Sequence, residues 1–491
     1  MKPTLQLLTE KTVSRIIDEG YSLLEDPGVI IQNPEMLKIL DSYGINVNPD
    51  TQIVSISENI ARDVISFCPE HFSLYSIDGS NSIDYGSDQT YFNPGSSALT
   101  ILDRESQRAR PPTTADFVKF IKIVEGLPDL DAQSTAMVCS DVVEEIKDLY
   151  RLYIALIYGS KPIVTGAFRE DTLNIMIDML TAVSGGIKNL QDNPIAIFDV
   201  CPSAPLKWSR LASQNLIDCA TRGIPVQIVS MPIAGATAPV TLAGAVVQHT
   251  AECLSGVIFA QIIKKGASVV WGGSPAVFDM KKSTTPMGAV GSWLISAANV
   301  QVAKALSIPT QAYLGISDAK VLDSQSGMES SASTLLAGLT GVDMVSGAGM
   351  LAFENCQSPE KLVLDAEMIA MTKHFLNGIQ IRDEPIAADL IREVGHNSDF
   401  LTNPHTLRWF KEEFHYPSSV IDRNRPDEWE RKGANNSWER AIERVDQLEA
   451  QYEGIRLDDQ LITEIRKIVT KSANTYGMAD LPSLPGSNSR K

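Results

Sequence analysis

Eight apolar stretches, each followed by a helical pattern, recur between residues 88 and 380, and no other feature of this 491-residue chain constrains its fold as strongly. The stretches are TYFNPGS from Thr90, DAQSTAMV from Asp131, KPIVTGAF from Lys161, NPIAIFDVCP from Asn193, IPVQIVSMPIAG from Ile224, GASVVWGGSP from Gly266, IPTQAYLGISD from Ile308 and GVDMVSGAGM from Gly341. The predicted helices between and after them run Thr114 to Glu125, Val142 to Tyr158, Asp171 to Val183, Lys207 to Thr221, Val240 to Lys264, Met287 to Ala305, Ser330 to Leu339 and Pro359 to Leu376. Parallel strands covered on both faces read as near-continuous apolar runs, and Pro162, Pro194, Pro225 and Pro309 stand at strand starts, where a missing N–H is tolerated. The pattern predicts an α/β chain built on a TIM (β/α)8 barrel over residues 88–380. An open doubly wound sheet is the competing architecture, but it ordinarily carries a G-x-G-x-x-G turn after its first strand, and this sequence has none.

Residues 1–87 mix helical patterns with short strand-like runs such as QIVSIS and are predicted as an N-terminal helical cap. Residues 381–491 turn polar and charged, as in SWERAIERVDQLEAQYEGI from Ser437, and are predicted as a C-terminal helical extension with a Ser/Pro/Gly-rich tail after Leu481. A net charge of −18 repels nucleic-acid phosphates and anionic membrane surfaces, which leaves small molecules and other proteins as partners. MKPTLQLLTEKTVSRI lacks the apolar core of an export signal, and the six cysteines form no C-x-x-C pair; both point to a cytoplasmic protein with reduced thiols. The longest apolar run, Val240 to Ile262, contains Gln248, His249, Glu252 and Gln261, so it reads as a buried helix rather than a membrane span.

There is no P-loop, no H-E-x-x-H, no G-x-S-x-G and no pair of the six histidines at metal-ligand spacing on one helix, so no tightly held metal is expected. A barrel of this kind forms its site at the C-terminal ends of the strands. The pattern places there Asn93 and Gly95, Cys139 and Asp141, Phe168 and Arg169, Asp199 and Cys201, Met231 and Gly235, Trp271 and Gly272, Gly315 and Asp318, and Gly347 and Gly349. Glycines there admit close approach of a ligand or planar cofactor, or simply serve the turns. Near the same ends lie Phe92, Phe168, Phe198, Trp271, Phe278, Tyr313 and Phe353, rings that suit either a quaternary ammonium or the core.

Three segments then carry a family resemblance: GISDAKVLDSQSGMES from Gly315, VWGGSP from Val270, and GHNSDFLTNPHTLRWFKEEFHYPSSVIDR from Gly395 to Arg423. They resemble the trimethylamine methyltransferase family over most of the chain. Members that carry pyrrolysine place it in the segment similar to the one after Ser317, where this chain has only ordinary residues. The chain therefore looks like the pyrrolysine-free branch, which includes glycine betaine methyltransferases and relatives using proline betaine or carnitine. The resemblance implies methyl transfer from a quaternary amine to the Co(I) of a separate corrinoid protein, by a homo-oligomer, with dimethylglycine left behind when glycine betaine is the donor. It implies catalytic roles for Asp318, Lys320 and Gln325, and a substrate site drawn from Phe92, Asn93, Phe198, Trp271, Tyr313 and Phe353. His396, Asn397 and His405 are candidates to anchor a betaine carboxylate or, alternatively, only fix the extension; Gly95, Gly272, Gly347 and Gly349 are candidates to face the corrinoid. Asp318 and Lys320 equally suit a plain ion pair.

A quaternary ammonium already carries a neutral amine as leaving group, so the protein's task reduces to aligning one N–CH3 bond and excluding water. Two alternatives stay open: the same chemistry on another methylated amine, and a barrel that binds betaine without transferring the methyl.

Overall fold

The computed structural model describes residues 2–396, 399–454 and 457–485. Asn397 lies outside the described residues. Eight parallel strands follow one another in chain order: β1 (Tyr91–Pro94), β2 (Gln133–Ser134), β3 (Ile163–Thr165), β4 (Ala196–Val200), β5 (Val226–Ser230), β6 (Val269–Gly273), β7 (Gln311–Tyr313) and β8 (Met344–Ala348). β2 to β6 form one sheet and β7, β8 and β1 another. Two seams close the ring. Trp271 N donates to Pro309 O at 2.8 Å between β6 and β7, and Asp131 N donates to Phe92 O at 2.7 Å between β1 and β2. β8 lies against β1 in register, Val345 opposite Phe92, so the strands complete a TIM barrel.

Each strand is followed by its helix: α1 (Thr114–Glu125), α2 (Lys147–Tyr158), α3 (Thr172–Val183), α4 (Arg210–Arg222), α5 (Leu242–Ile263), α6 (Val290–Ala305), α7 (Ser324–Thr340) and α8 (Pro359–Leu376). Thr113 and Asp116 form a capping box on α1, and Ser358 with Pro359 starts α8, which is why both predicted helices hold to the residue. α7 begins six residues before the predicted Ser330, because Asp323 caps a first turn, SQSGMES, too polar to show periodicity. α4 begins at Arg210 rather than Lys207, since Lys207–Trp208 is taken up as a strand.

α5 passes the length and composition test for a membrane span, but 83% of its apolar window is buried. The helix Glu10–Glu25 covers it so closely that a Cβ on Gly20 would stand 2.7 Å from Thr250 Cγ2. The N-terminal segment is not purely helical: its strand Val29–Ile31 pairs antiparallel with Ile53–Ser55 and parallel with Lys207–Trp208, stitching the segment to the loop after β4. A hairpin, Phe72–Tyr75 with Ser82–Tyr85, plugs the N-terminal end of the barrel, where Leu74, Ile83 and Tyr85 meet Ala132, Val164, Ile197, Val270 and Met344. In the C-terminal extension, the helix Ser437–Ala450 lies along α8 and α1, and Asp459–Thr475 along α2 and α3.

Candidate active site at the barrel mouth

Period-two alternation decides which strand residues reach the barrel interior. In β4, Ile197 and Asp199 point inward and Phe198 outward, so the one acid of AIFDV stands inside the barrel. A hydrogen-bonded column fixes it. Tyr85 of the hairpin donates to Gln227 Oε1 (3.4 Å), Gln227 Nε2 donates to Asp199 Oδ1 (2.6 Å), and the Tyr313 hydroxyl donates to Asp199 Oδ2 (3.4 Å) and contacts Ser96 Oγ (3.2 Å). Above this column opens a cavity of about 920 Å3, bordered by the loops after several strands.

The second carboxylate comes from the loop after β8. Leu351 pairs with Cys356, and the turn between them takes three consecutive non-glycine residues into the left-handed region: Ala352 (φ 51°), Phe353 (φ 61°) and Glu354 (φ 62°). Each such residue costs on the order of 1 kcal/mol or more, and strain of this kind gathers where a side chain must be aimed. The turn is clamped by Ala352 N to Ala319 O (3.0 Å) and by Thr100 N to Asn355 O (3.1 Å). Phe353 and Glu354 both border the cavity, and Ser274 Oγ donates to the Glu354 carboxylate at 3.1 Å. Burial raises Glu354 to about 7, helped by the charges of Asp318 and Asp199, and burial raises Asp199 to about 6 against the opposing bonds from Gln227 and Tyr313. The Cys201 thiol beside them is pushed up to about 12 by burial and stays neutral.

Of the predicted site residues, the structure brings Tyr313 and Phe353 to the cavity. Asp318 and Lys320 are not among the residues that border it. Asp318 accepts from Met287 N (3.0 Å) and Gly288 N (2.8 Å), and burial raises it to about 6. Lys320 is not ion-paired to that carboxylate in direct contact: its Nζ donates to the Asp318 backbone carbonyl (2.6 Å) and sits 4.1 Å from the Phe353 ring centroid. Gln325 is exposed and donates to Glu329 Oε1 (2.9 Å), whose carboxylate also takes Ser317 Oγ and Asp318 N.

Other predicted residues lie elsewhere. Phe92 and Phe198 point out of the barrel into the strand–helix core, and Trp271 packs outward with its ring 6.3 Å from that of His249 on α5. Asn93 points inward but below the cavity, accepting from Ser346 Oγ (2.8 Å). His405 meets Asp383 Oδ2 at 3.1 Å within the extension, and His396 is exposed in the loop after the helix Ala388–Val394; neither borders the cavity. The four glycines are places of close packing, not of an open surface. A Cβ on Gly95 would stand 2.2 Å from Met350 Cγ, on Gly272 2.7 Å from Gln311 Oε1, on Gly347 2.2 Å from Leu314 O and on Gly349 2.3 Å from Gln357 Oε1.

Two side chains of the candidate site were missed outright. Glu354 carries no motif, and the only hint was an acid directly after an aromatic at a strand end. Arg151 is the one cation of the apolar run DLYRLYIALIY that follows Lys147 in α2, and it is fully buried. It donates to Ser97 Oγ (2.9 Å) and Thr135 O (2.7 Å), and its guanidinium lies 4.3 Å from the Phe168 ring centroid. Burial lowers it to about 10, so it remains a cation, clamping the loops after β1, β2 and β3.

A TIM barrel with a desolvated, acidic and aromatic cavity at the C-terminal ends of its strands has its candidate site where enzymes of this fold carry theirs. The family model for trimethylamine methyltransferase (MTTB) matches residues 1–477, and the chain belongs to that family of methyltransferases. It is 28% identical to trimethylamine methyltransferase MttB of Desulfitobacterium hafniense (strain DSM 10664 / DCB-2) over 93% of this chain and 92% of that one. It is 30% identical to MttB of Methanosarcina thermophila, covering 90% and 92%, and 27% identical to the glycine betaine methyltransferase of D. hafniense (strain Y51), covering 97% and 98%. Among solved structures it is similar to the monomethylamine methyltransferase MtmB of Methanosarcina barkeri, with a TM-score of 0.55 at 13% identity over 90% of this chain and 86% of that one. That likeness speaks to the fold.

Proposed function

We propose that this chain moves a methyl group from a small quaternary ammonium compound to the cobalt of a separate corrinoid protein. The observation that carries the reading is the pair of desolvated carboxylates, Asp199 and Glu354, beside the rings of Tyr313 and Phe353 in one cavity. Carboxylates that burial holds near neutral pKa gain most from a permanent cation, and aromatic faces add roughly 0.5–2 kcal/mol each when desolvated. The corrinoid, when its carrier docks, supplies the nucleophile for the methyl carbon.

The chain's own part is binding and orientation. Nitrogen loses its positive charge as the methyl departs, so Asp199 and Glu354 stabilise the bound cation rather than the transition state. Their contribution is to fix which N–CH3 bond faces the mouth, while the plugged barrel keeps water from entering beneath. The rim suits a large planar partner: Leu99, Phe168 and Met231 border the cavity with exposures of 59%, 44% and 43%, a cluster of apolar side chains left in water. The resemblance favours glycine betaine as donor, as in the relative named for it. The test is anaerobic absorbance of cob(I)alamin with the purified protein and, in turn, glycine betaine, proline betaine, carnitine, choline and trimethylamine. Conversion to methylcobalamin with a quaternary donor is the expected result; conversion with none of them, while the cobalt stays Co(I), would sink the reading.

A further inference from the structure

The charge of the cavity narrows the donor further, on the footing that this same cavity holds the ammonium compound. The ionisable acids and bases bordering it are Glu144, Asp199, Glu354, Cys201 and Tyr313; no Lys, Arg or His is among its described lining residues. The neighbouring cations Arg151, Lys147, Lys320 and Arg169 stand outside that lining. Arg151 lies behind Ser97 under the Phe168 ring, Lys147 pairs with Glu144 at 2.5 Å, Lys320 is bonded to the Asp318 carbonyl, and Arg169 pairs with Asp171 at 3.0 Å. A carboxylate on the ligand would therefore meet two like charges in the cavity, while Arg151, whose bonds go to neutral oxygens, stands behind the wall.

We propose that the site selects a net-cationic quaternary ammonium over a zwitterionic betaine, the ammonium resting by Asp199 and Glu354. Choline and glycine betaine are the deciding probes, since both carry a trimethylammonium and differ in ending on –CH2OH or –COO−. Calorimetric titration of the full chain at about pH 8 is expected to show choline binding tighter by roughly tenfold or more, the order of one uncompensated like-charge contact in a partly buried site. Glu354→Gln is expected to weaken choline and strengthen glycine betaine together, opposite movements that a general loss of structure does not produce. Equal or tighter binding of glycine betaine, or no binding of choline, overturns the proposal. Methyl transfer to cob(I)alamin is measured separately: choline preference without transfer from any donor overturns the methyltransferase reading and leaves the selectivity standing, whereas transfer from a tightly bound glycine betaine does the reverse.

Discussion

Replacing Glu354 by glutamine keeps the side chain's size and an acceptor for Ser274 Oγ while removing the charge, so its effect on stability isolates the cost of burying that carboxylate. Burial moves the group from 4.5 to about 7. Below pH 4.5 it is protonated in both folded and unfolded chains and exerts no penalty. As pH rises towards 7 the unfolded chain ionises while the folded chain holds its proton, and above 7 the full difference is felt. Folding stability from this group is thus present at low pH and lost as pH rises through the folded pKa. The shift corresponds to about 3 kcal/mol at 1.36 kcal/mol per unit, and water in the open cavity screens part of it, leaving an expected 1–3 kcal/mol. Urea unfolding of the wild type and Glu354→Gln, compared at matched pH, should show the variant gaining on the wild type by that amount between about pH 4.5 and about pH 8. Asp199 is present in both proteins, so its own titration largely cancels. Saturating choline at the upper pH should close most of the gap, because it restores a counter-charge only the wild type needs. A difference that stays flat across the range, or grows in the other direction, would falsify the desolvated carboxylate on which the site rests.

The other tests probe the frame. Lys361→Met strips the partner from Asp365, a pair at 2.5 Å with both side chains at most 3% exposed, and should cost about 3–5 kcal/mol in urea unfolding because the remaining carboxylate is stranded. Gly347→Ala, at φ 155° with its Cβ 2.2 Å from Leu314 O, should cost several kcal/mol, on the order of 3 or more, seen as lost soluble yield or a lower urea midpoint. Tyr313→Phe removes a hydrogen bond that lowers the Asp199 pKa. Choline binding should therefore begin at higher pH than in the wild type, and an unchanged pH profile counts against Tyr313 acting on Asp199.

The barrel was legible because its signal is repeated eight times and survives error in any one strand: all eight predicted runs contain the strand they announce, from Tyr91–Pro94 to Met344–Ala348. The site was less legible because a shift of one residue exchanges inside for outside. Phe198 and Trp271 were attractive as rings near strand ends, yet Asp199 and Gly272, one position on, are the residues that face inward. Glu354 depends on a left-handed turn built without glycine, through Ala352 and Phe353, and no residue type marks that conformation in advance. Arg151 went unnoticed although it is a charge in an apolar helix, and what it clamps, the loops after three different strands, exists only once the barrel closes. The glycines at strand ends were visible and their reason was not: Gly95 makes room for Met350, which is distant in sequence.

The same interior explains why the mouth is electrostatically sensitive. At the hairpin end, Leu74, Ile83 and Tyr85 seal the barrel against Val164, Ile197, Val270 and Met344. Above that seal the inward positions turn polar, with Asn93, Gln227, Gln311 and Ser346 buried in the barrel beneath the cavity. Asp199 stands at the top of this belt, where a donor from Gln227 pins one oxygen and Tyr313 the other, while the seal below denies it bulk water from that side. Two bonds do not replace full hydration of a charge, so its pKa rises, and Glu354, aimed at the same space from a strained turn, rises with it. A cation entering from the rim relieves both carboxylates at once, and a carboxylate entering with it gives part of that relief back. Selectivity at the mouth therefore follows from how the far end of the barrel is plugged.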